Sequence, residues 1–252
     1  MMKPNFNSVS PLLNQFLRFN ELIEEITQLY PGDQWVMAIN QDIPNVADGY
    51  SKFAELYNRI FALLDENSFK ILKEKALKNF TGPSEGNNGN RGKQQFFNHL
   101  DEALAYEYLA NKGYTNIQFV VATNNQKTPD LSFQINEETL YCEVKTVNRS
   151  DEDIIRYREI QVQNSSIYEN LSEGFFNKLS SDLSDAKNKV PIPRLVYMIV
   201  LFDGFTLAYW DTYSLEIENF LKENFHDIEV FIRVGYFSEK RLHHNSSDSA
   251  LG

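Results

Sequence analysis

Asp130, Glu143 and Lys145 are the residues whose types and spacing could do chemistry. They lie in TPDLSFQINEETLYCEVKTV (Thr128–Val147), which reads as a strand hairpin. Alternation along a strand puts Tyr141, Glu143 and Lys145 on one face, and Leu140, Cys142, Val144 and Thr146 on the other. On the preceding strand Asp130, Ser132 and Gln134 share a face. With the turn centred on Asn136-Glu137, Asp130 falls directly opposite Glu143, and directly opposed residues point to the same side of a sheet. The Cβ atoms of the two carboxylates would then lie about 5 Å apart. Like charges in that position require a compensating cation. Lys145 is one. A divalent oxygen-seeking ion such as Mg²⁺ is another, because it takes one or two carboxylates and fills its remaining positions with water and phosphate. Such an ion can activate a water nucleophile and stabilise charge on a phosphodiester. The plain alternative is a solvent-facing strand carrying a cross-strand Lys–Glu pair. Asp185-Ala186-Lys187 repeats the acid-x-Lys spacing, but in a helical stretch, where solvated surface is expected. Pro-Asp, a hairpin-length gap and acid-x-Lys within a strand occur together once in the chain.

Several elements must position these residues. Leu12, Leu13, Phe16, Leu22, Ile23, Ile26 and Tyr30 recur at helical spacing up to Pro31-Gly32. A second helical pattern runs through Phe53, Tyr57, Ile60 and Leu64, and a third through Phe69, Leu72 and Leu77. Residues 1–81 therefore read as an N-terminal helical module. GPSEGNNGNRGK (82–93) is a Gly- and Asn-rich break with linker composition. A single domain is expected over 94–240 and a disordered tail over 241–252. The domain opens with helical spacing over Gln94–Asn111, which ends at Lys112-Gly113. The strand-like runs IQFVVAT, DLSFQI and LYCEVKTV follow. Another helix is marked by Phe175, Phe176, Leu179, Leu183 and Ala186, and then comes RLVYMIVLF, the most apolar run and the candidate central strand. A helix at Leu215–Glu223 and the strand EVFIRVGYF close the pattern. Helix, three strands, helix, strand, helix, strand predicts an α/β fold with a mixed sheet flanked by helices.

With these elements in order, the chain resembles the PD-(D/E)XK nuclease superfamily, whose restriction-endonuclease-like core is shared by Holliday-junction resolvases and many repair nucleases. Pro129-Asp130 is similar to the family's first half-motif and Glu143-Val144-Lys145 to its second. Glu102, in LDEALAYEYLANKGY, is similar in placement to the acidic residue that members carry on the preceding helix. The likeness covers Lys93–Val147 and extends to Phe202, leaving the first eighty residues outside it. It implies a metal-dependent endonuclease acting on nucleic acid, with DNA the expected substrate and Mg²⁺ or Mn²⁺ the cofactor. Asp130 and Glu143 would ligate the metal, with the Val144 carbonyl as a third protein ligand. Lys145 would orient or activate the attacking water. Glu102 would hold a metal-bound water. Glu107 is its rival, about 140° further round the helix, so both cannot face one metal equally. The alternative is a catalytically inactive module of the same fold that binds nucleic acid or a protein partner.

Composition limits these readings. The chain of 252 residues is 42% hydrophobic, enough for a substantial core. Its net charge of −11 argues against a protein that merely coats nucleic acid. No run approaches the roughly 20 apolar residues of a membrane span, and the N-terminal stretch lacks a signal-peptide core. A single cysteine, Cys142, forms no internal disulfide and fits a reducing cytoplasm. Facing away from Glu143, it is expected to be a packing residue. His99, three residues before Glu102, is read as a surface or packing histidine. Lys70, Lys73, Lys75, Lys78, Arg91 and Lys93 are the notable basic cluster. Its default is solvated surface, with Arg91 and Lys93 the candidate phosphate contacts. Gln161 and Gln163 are further candidate contacts. A homodimer is expected if one site per chain cuts both strands of a duplex.

Overall fold

The computed structural model describes residues 17–33, 36, 44–80, 93–121, 128–147, 169–189, 194–202 and 207–245. The expected linker apart from Lys93, together with Arg91, Gln161 and Gln163, lies outside them. So does the tail from residue 246 onward. The chain forms two compact units, Met1–Tyr108 and Leu109–Gly252. No helix among the described residues is long and apolar enough to cross a membrane.

The N-terminal unit holds α1 (Leu17–Leu29), α2 (Pro44–Phe61), α3 (Glu66–Lys78) and most of α4 (Gln94–Asn111). Asp65 starts α3: its carboxylate accepts from the Ser68 N–H at 2.7 Å, satisfying an N–H that has no partner within the helix. The helices are held together by aromatic packing, with Phe80 edge-on to Phe96 and Phe53 edge-on to Phe97. Much of the chain's phenylalanine is thus accounted for as core. Helix α4 was expected to open the sheet domain. Over most of its length it instead belongs to the N-terminal unit, because Phe96, Phe97 and Asp101 find their partners there.

The second unit is built on a six-stranded mixed sheet in the order β1-β2-β3-β4-β5-β6. The strands are β1 (Thr115–Phe119), β2 (Leu131–Ile135), β3 (Glu138–Val147), β4 (Arg194–Val200), β5 (Glu229–Val234) and β6 (Arg241–His244). The first three form an antiparallel meander; β4 and β5 run parallel to β3, and β6 is antiparallel. The parallel pairs need crossovers. Helices α5 (Glu173–Lys189) and α6 (Trp210–Asn224) lie in those connections. Leu195–Val200 of β4 are all buried, as a central strand requires. Residues 241–244, expected to be tail, form β6 because they find an antiparallel partner in β5.

Pairing partners share a face, so the register sorts the sheet. Glu143, Val196, Val230 and His244 form one row, and Lys145, Met198, Ile232 and Leu242 the next. This face carries Val147, Val200 and Val234 as well, and it packs against Leu179, Leu183 and Ala186 of α5 and Tyr213, Ile217 and Leu221 of α6. Glu143 thus stands at the border of the unit's main apolar core.

Candidate active site

The β2–β3 hairpin turns at Asn136 and Glu137, both with positive φ (49° and 70°). Two consecutive left-handed residues make the two-residue turn whose twist suits a hairpin. The turn sets the register Leu131↔Cys142, Ser132↔Tyr141 and Phe133↔Leu140. Beyond Leu131 the chain leaves that ladder: Asp130 is a bend residue whose C=O accepts from the Val120 N–H at 2.9 Å. Its backbone N–H donates to the Cys142 carbonyl at 3.2 Å, and its carboxylate accepts from the Val144 N–H at 2.8 Å. The side chain therefore supplies the next rung of the ladder beyond the end of β2. In an extended strand a residue's N–H and C=O point to the same edge. The Val144 carbonyl accordingly faces the Asp130 side of β3.

Glu143 is only 1% exposed. Its Oε1 meets two ammonium groups, Lys145 Nζ at 3.1 Å and Lys189 Nζ at 2.5 Å. Its Oε2 is buried and has no hydrogen-bond partner among the described residues. A buried carboxylate oxygen without a donor is costly. Burial pulls the pKa of Lys189 down, but the Glu143 hydrogen bond and the charges of Glu143, Asp130 and Asp185 outweigh it, leaving it above the ordinary 10.5. Glu143, Lys145 and Lys189 are thus brought together, and the Asp130 carboxylate is tied to the backbone N–H of Val144 beside them.

Lys189 was missed in the sequence, although a signal was there. Leu179, Leu183 and Ala186 form the buried stripe of α5 at steps of four and three. A further step of three lands on Lys189, a cation on an otherwise inward-facing stripe. Its position in the last turn also suits the negative end of the helix dipole.

Cys142 faces away from Glu143 and is fully buried. Burial foremost, and then the charge of Asp130, hold its thiol pKa well above the ordinary 9.0. That chemistry suits packing and not nucleophilic attack.

Glu102 and Glu107 both lie in the N-terminal unit with partners of their own. Glu102, 3% exposed, pairs through Oε2 with Lys75 Nζ at 2.8 Å and through Oε1 with His99 Nδ1 at 2.6 Å. His99 is therefore tied to Glu102 and is not a bystander. Glu107 receives the Arg59 guanidinium at 2.9 Å. Lys93 pairs with Asp33 at 2.5 Å and lies over the Phe80 ring. Within the basic cluster, Lys73 meets Glu21 and Glu25, and Lys70 approaches Glu74. Much of the cluster's charge is thereby balanced within its own unit.

Among the described residues no group of three His, Cys, Asp or Glu side chains could hold a metal ion. The hairpin does carry oxygen donors: the Glu143 carboxylate with its partnerless Oε2, the Asp130 carboxylate on the Val144 N–H, and the Val144 carbonyl. Oxygen donors of these types are the ones a hard dication takes, its remaining positions being filled by water. Comparison with protein-family models, with curated proteins and with solved structures finds no match.

Proposed function

We propose that this chain is a metal-dependent endonuclease that hydrolyses phosphodiester bonds in nucleic acid, with DNA as the substrate, on a restriction-endonuclease-like core. The observation that carries the reading is Glu143: a carboxylate buried at a core border, followed by Lys145 on the same face, next to the Val144 N–H that the Asp130 carboxylate binds, and left with one oxygen unpartnered. The order helix, three antiparallel strands, helix, parallel strand supports the fold assignment.

Asp130, Glu143 and the Val144 carbonyl would hold Mg²⁺ or Mn²⁺, with water filling the remaining positions. When bound, the cation supplies Lewis-acid stabilisation of the phosphoryl oxygens and a more acidic water. The protein's own residues do the rest. The Asp130–Val144 hydrogen bond fixes the strand end so that carboxylate and carbonyl keep their places. Lys145, anchored on Glu143, orients the attacking water and offsets phosphate charge, a task suited to a compact ammonium. Attack forms the water-oxygen–phosphorus bond and breaks the bond to the leaving sugar oxygen, which takes up a proton.

A second reading, a catalytically inactive module that binds nucleic acid or a protein partner, draws support from the two ammonium groups on Glu143, which balance the hairpin charge without a metal. Incubating supercoiled plasmid with Mg²⁺ or Mn²⁺ separates the readings. We expect nicking or cutting, reduced at least about 100-fold by Lys145→Ala. Unchanged activity in Lys145→Ala would overturn the site. Absence of cleavage on linear, branched and single-stranded DNA and on RNA would favour the binding module.

A further inference from the structure

Two ammonium groups on one carboxylate oxygen are more than a buried Glu needs. Lys145 alone, two residues along the same strand face, would balance Glu143, while Asp130 lies close enough for its charge to act on Lys189. The four groups sum to zero charge. A dication entering the pair of carboxylates would leave a surplus of two positive charges, and Lys189 and Lys145 would repel it at short range. One ammonium must yield. Lys145 is confined to a strand face in the middle of the sheet. Lys189 is on the last residue of α5, with its side chain 25% exposed, and a four-carbon stem gives it somewhere to go.

Building on the metal-site reading above, we infer that Lys189 is a displaceable counter-ion: it occupies Glu143 Oε1 when no metal is bound, yields that oxygen to the metal, and then binds a phosphate of the nucleic acid. Metal binding and substrate binding are thereby coupled through one side chain. The phosphate-binding cation is released only once the carboxylates have been neutralised by the dication.

The test measures binding, not turnover, on the full-length chain. Mn²⁺ affinity is read from the loss of the free-ion electron paramagnetic resonance signal, and affinity for a short DNA duplex is read by fluorescence anisotropy in Ca²⁺ and in EDTA. Lys189→Met should bind Mn²⁺ about tenfold more tightly than the natural chain, since a charge-assisted competitor is gone. Its duplex affinity should fall roughly fivefold in Ca²⁺ yet stay within about twofold in EDTA, where Lys189 is committed to Glu143. Lys189→Arg, which keeps the charge and guards against a folding defect, should restore the duplex affinity in Ca²⁺. Mn²⁺ affinity unchanged or weakened in Lys189→Met would overturn the inference and leave Lys189 a structural strut. If Asp130→Asn removes Mn²⁺ binding while Lys189→Met matches the natural chain, only the inference fails. If the natural chain binds no Mn²⁺, or Asp130→Asn binds it equally well, the metal-site reading fails and takes the inference with it.

Discussion

Asp130 carries two separable duties, and two substitutions pull them apart. Its carboxylate accepts from the Val144 N–H at 2.8 Å and closes the hairpin ladder beyond β2. The proposed metal site needs its charge. Asp130→Ala removes both. A hydrogen bond to a charged acceptor contributes roughly 1.5–3 kcal/mol. Asp130 and Val144 are both partly exposed, which places the loss near the low end, about 1.5 kcal/mol. Asp130→Asn keeps a carbonyl oxygen for the Val144 N–H, and a neutral bond retains about 1 kcal/mol, so this variant should lose only about 0.5 kcal/mol. With a urea slope near 2 kcal/mol per molar, the midpoints fall by about 0.7 M for Ala and 0.3 M for Asn. Urea unfolding followed by circular dichroism reads the first duty. Mn²⁺ titration reads the second, and both variants should lose at least about tenfold in affinity. The decisive comparison is Asn. If Asp130→Asn recovers Mn²⁺ affinity along with stability, the carboxylate serves only as a rung of the ladder. If Ala and Asn are equally destabilised, the hydrogen bond carries no weight.

Two other expectations follow from local geometry. Glu137 holds φ at 70° in the hairpin turn, where a side chain costs about 1 kcal/mol that glycine avoids, so Glu137→Gly should raise stability by roughly that amount in urea unfolding. A loss of stability would show that the turn is held by contacts of the Glu137 side chain. His244 is buried on β6, and burial, followed by Lys222 of α6 and neighbouring His243, lowers its pKa below 6.5 against the raising influence of the Phe225 backbone and Glu218. The unfolded chain therefore takes the proton first. The stability conferred by neutral His244 is fully present above pH 6.5 and declines below it, by up to about 1.4 kcal/mol per pH unit until the folded-state value is reached. His244→Gln should flatten that part of the urea-midpoint profile between about pH 7.5 and 5.5. Identical profiles would refute the assignment.

The hairpin was readable in advance because it depends on local rules. A two-residue turn fixes the register of Leu131–Ile135 against Glu138–Cys142, and period-two alternation puts Glu143 and Lys145 on one face, so both need only the sequence. The same held for α4, α5 and the central β4, whose apolar patterns are strong. What was not readable is long-range. Helical spacing placed α4 beside the sheet elements, but aromatic partners from α2 and from Phe80 claim most of it for the N-terminal unit. Strand β6 reads as a polar tail because its residues carry no apolar alternation; it exists because β5 offers an open edge. The depth of Glu143 depends on α5 and β4, elements that begin thirty or more residues further along the sequence.

The acidity of the chain and its proposed task meet at this same pair of carboxylates. A net charge of −11 repels a polyanion at long range, and Lys70, Lys73, Lys75 and Lys93 are balanced by carboxylates of their own unit. Around Glu143 the local sum is zero, because Lys145 and Lys189 match Asp130 and Glu143. A bound dication would add two positive charges beside Lys145 and Lys189, and the adjoining low-dielectric core would screen them little. Affinity for nucleic acid would then depend on the metal and be local to the reacting phosphate. It would not be spread over many backbone contacts, as in a basic coating protein. The salt dependence of DNA binding should accordingly be shallow, with its largest change on adding metal. A steep slope in EDTA would locate the nucleic-acid surface elsewhere.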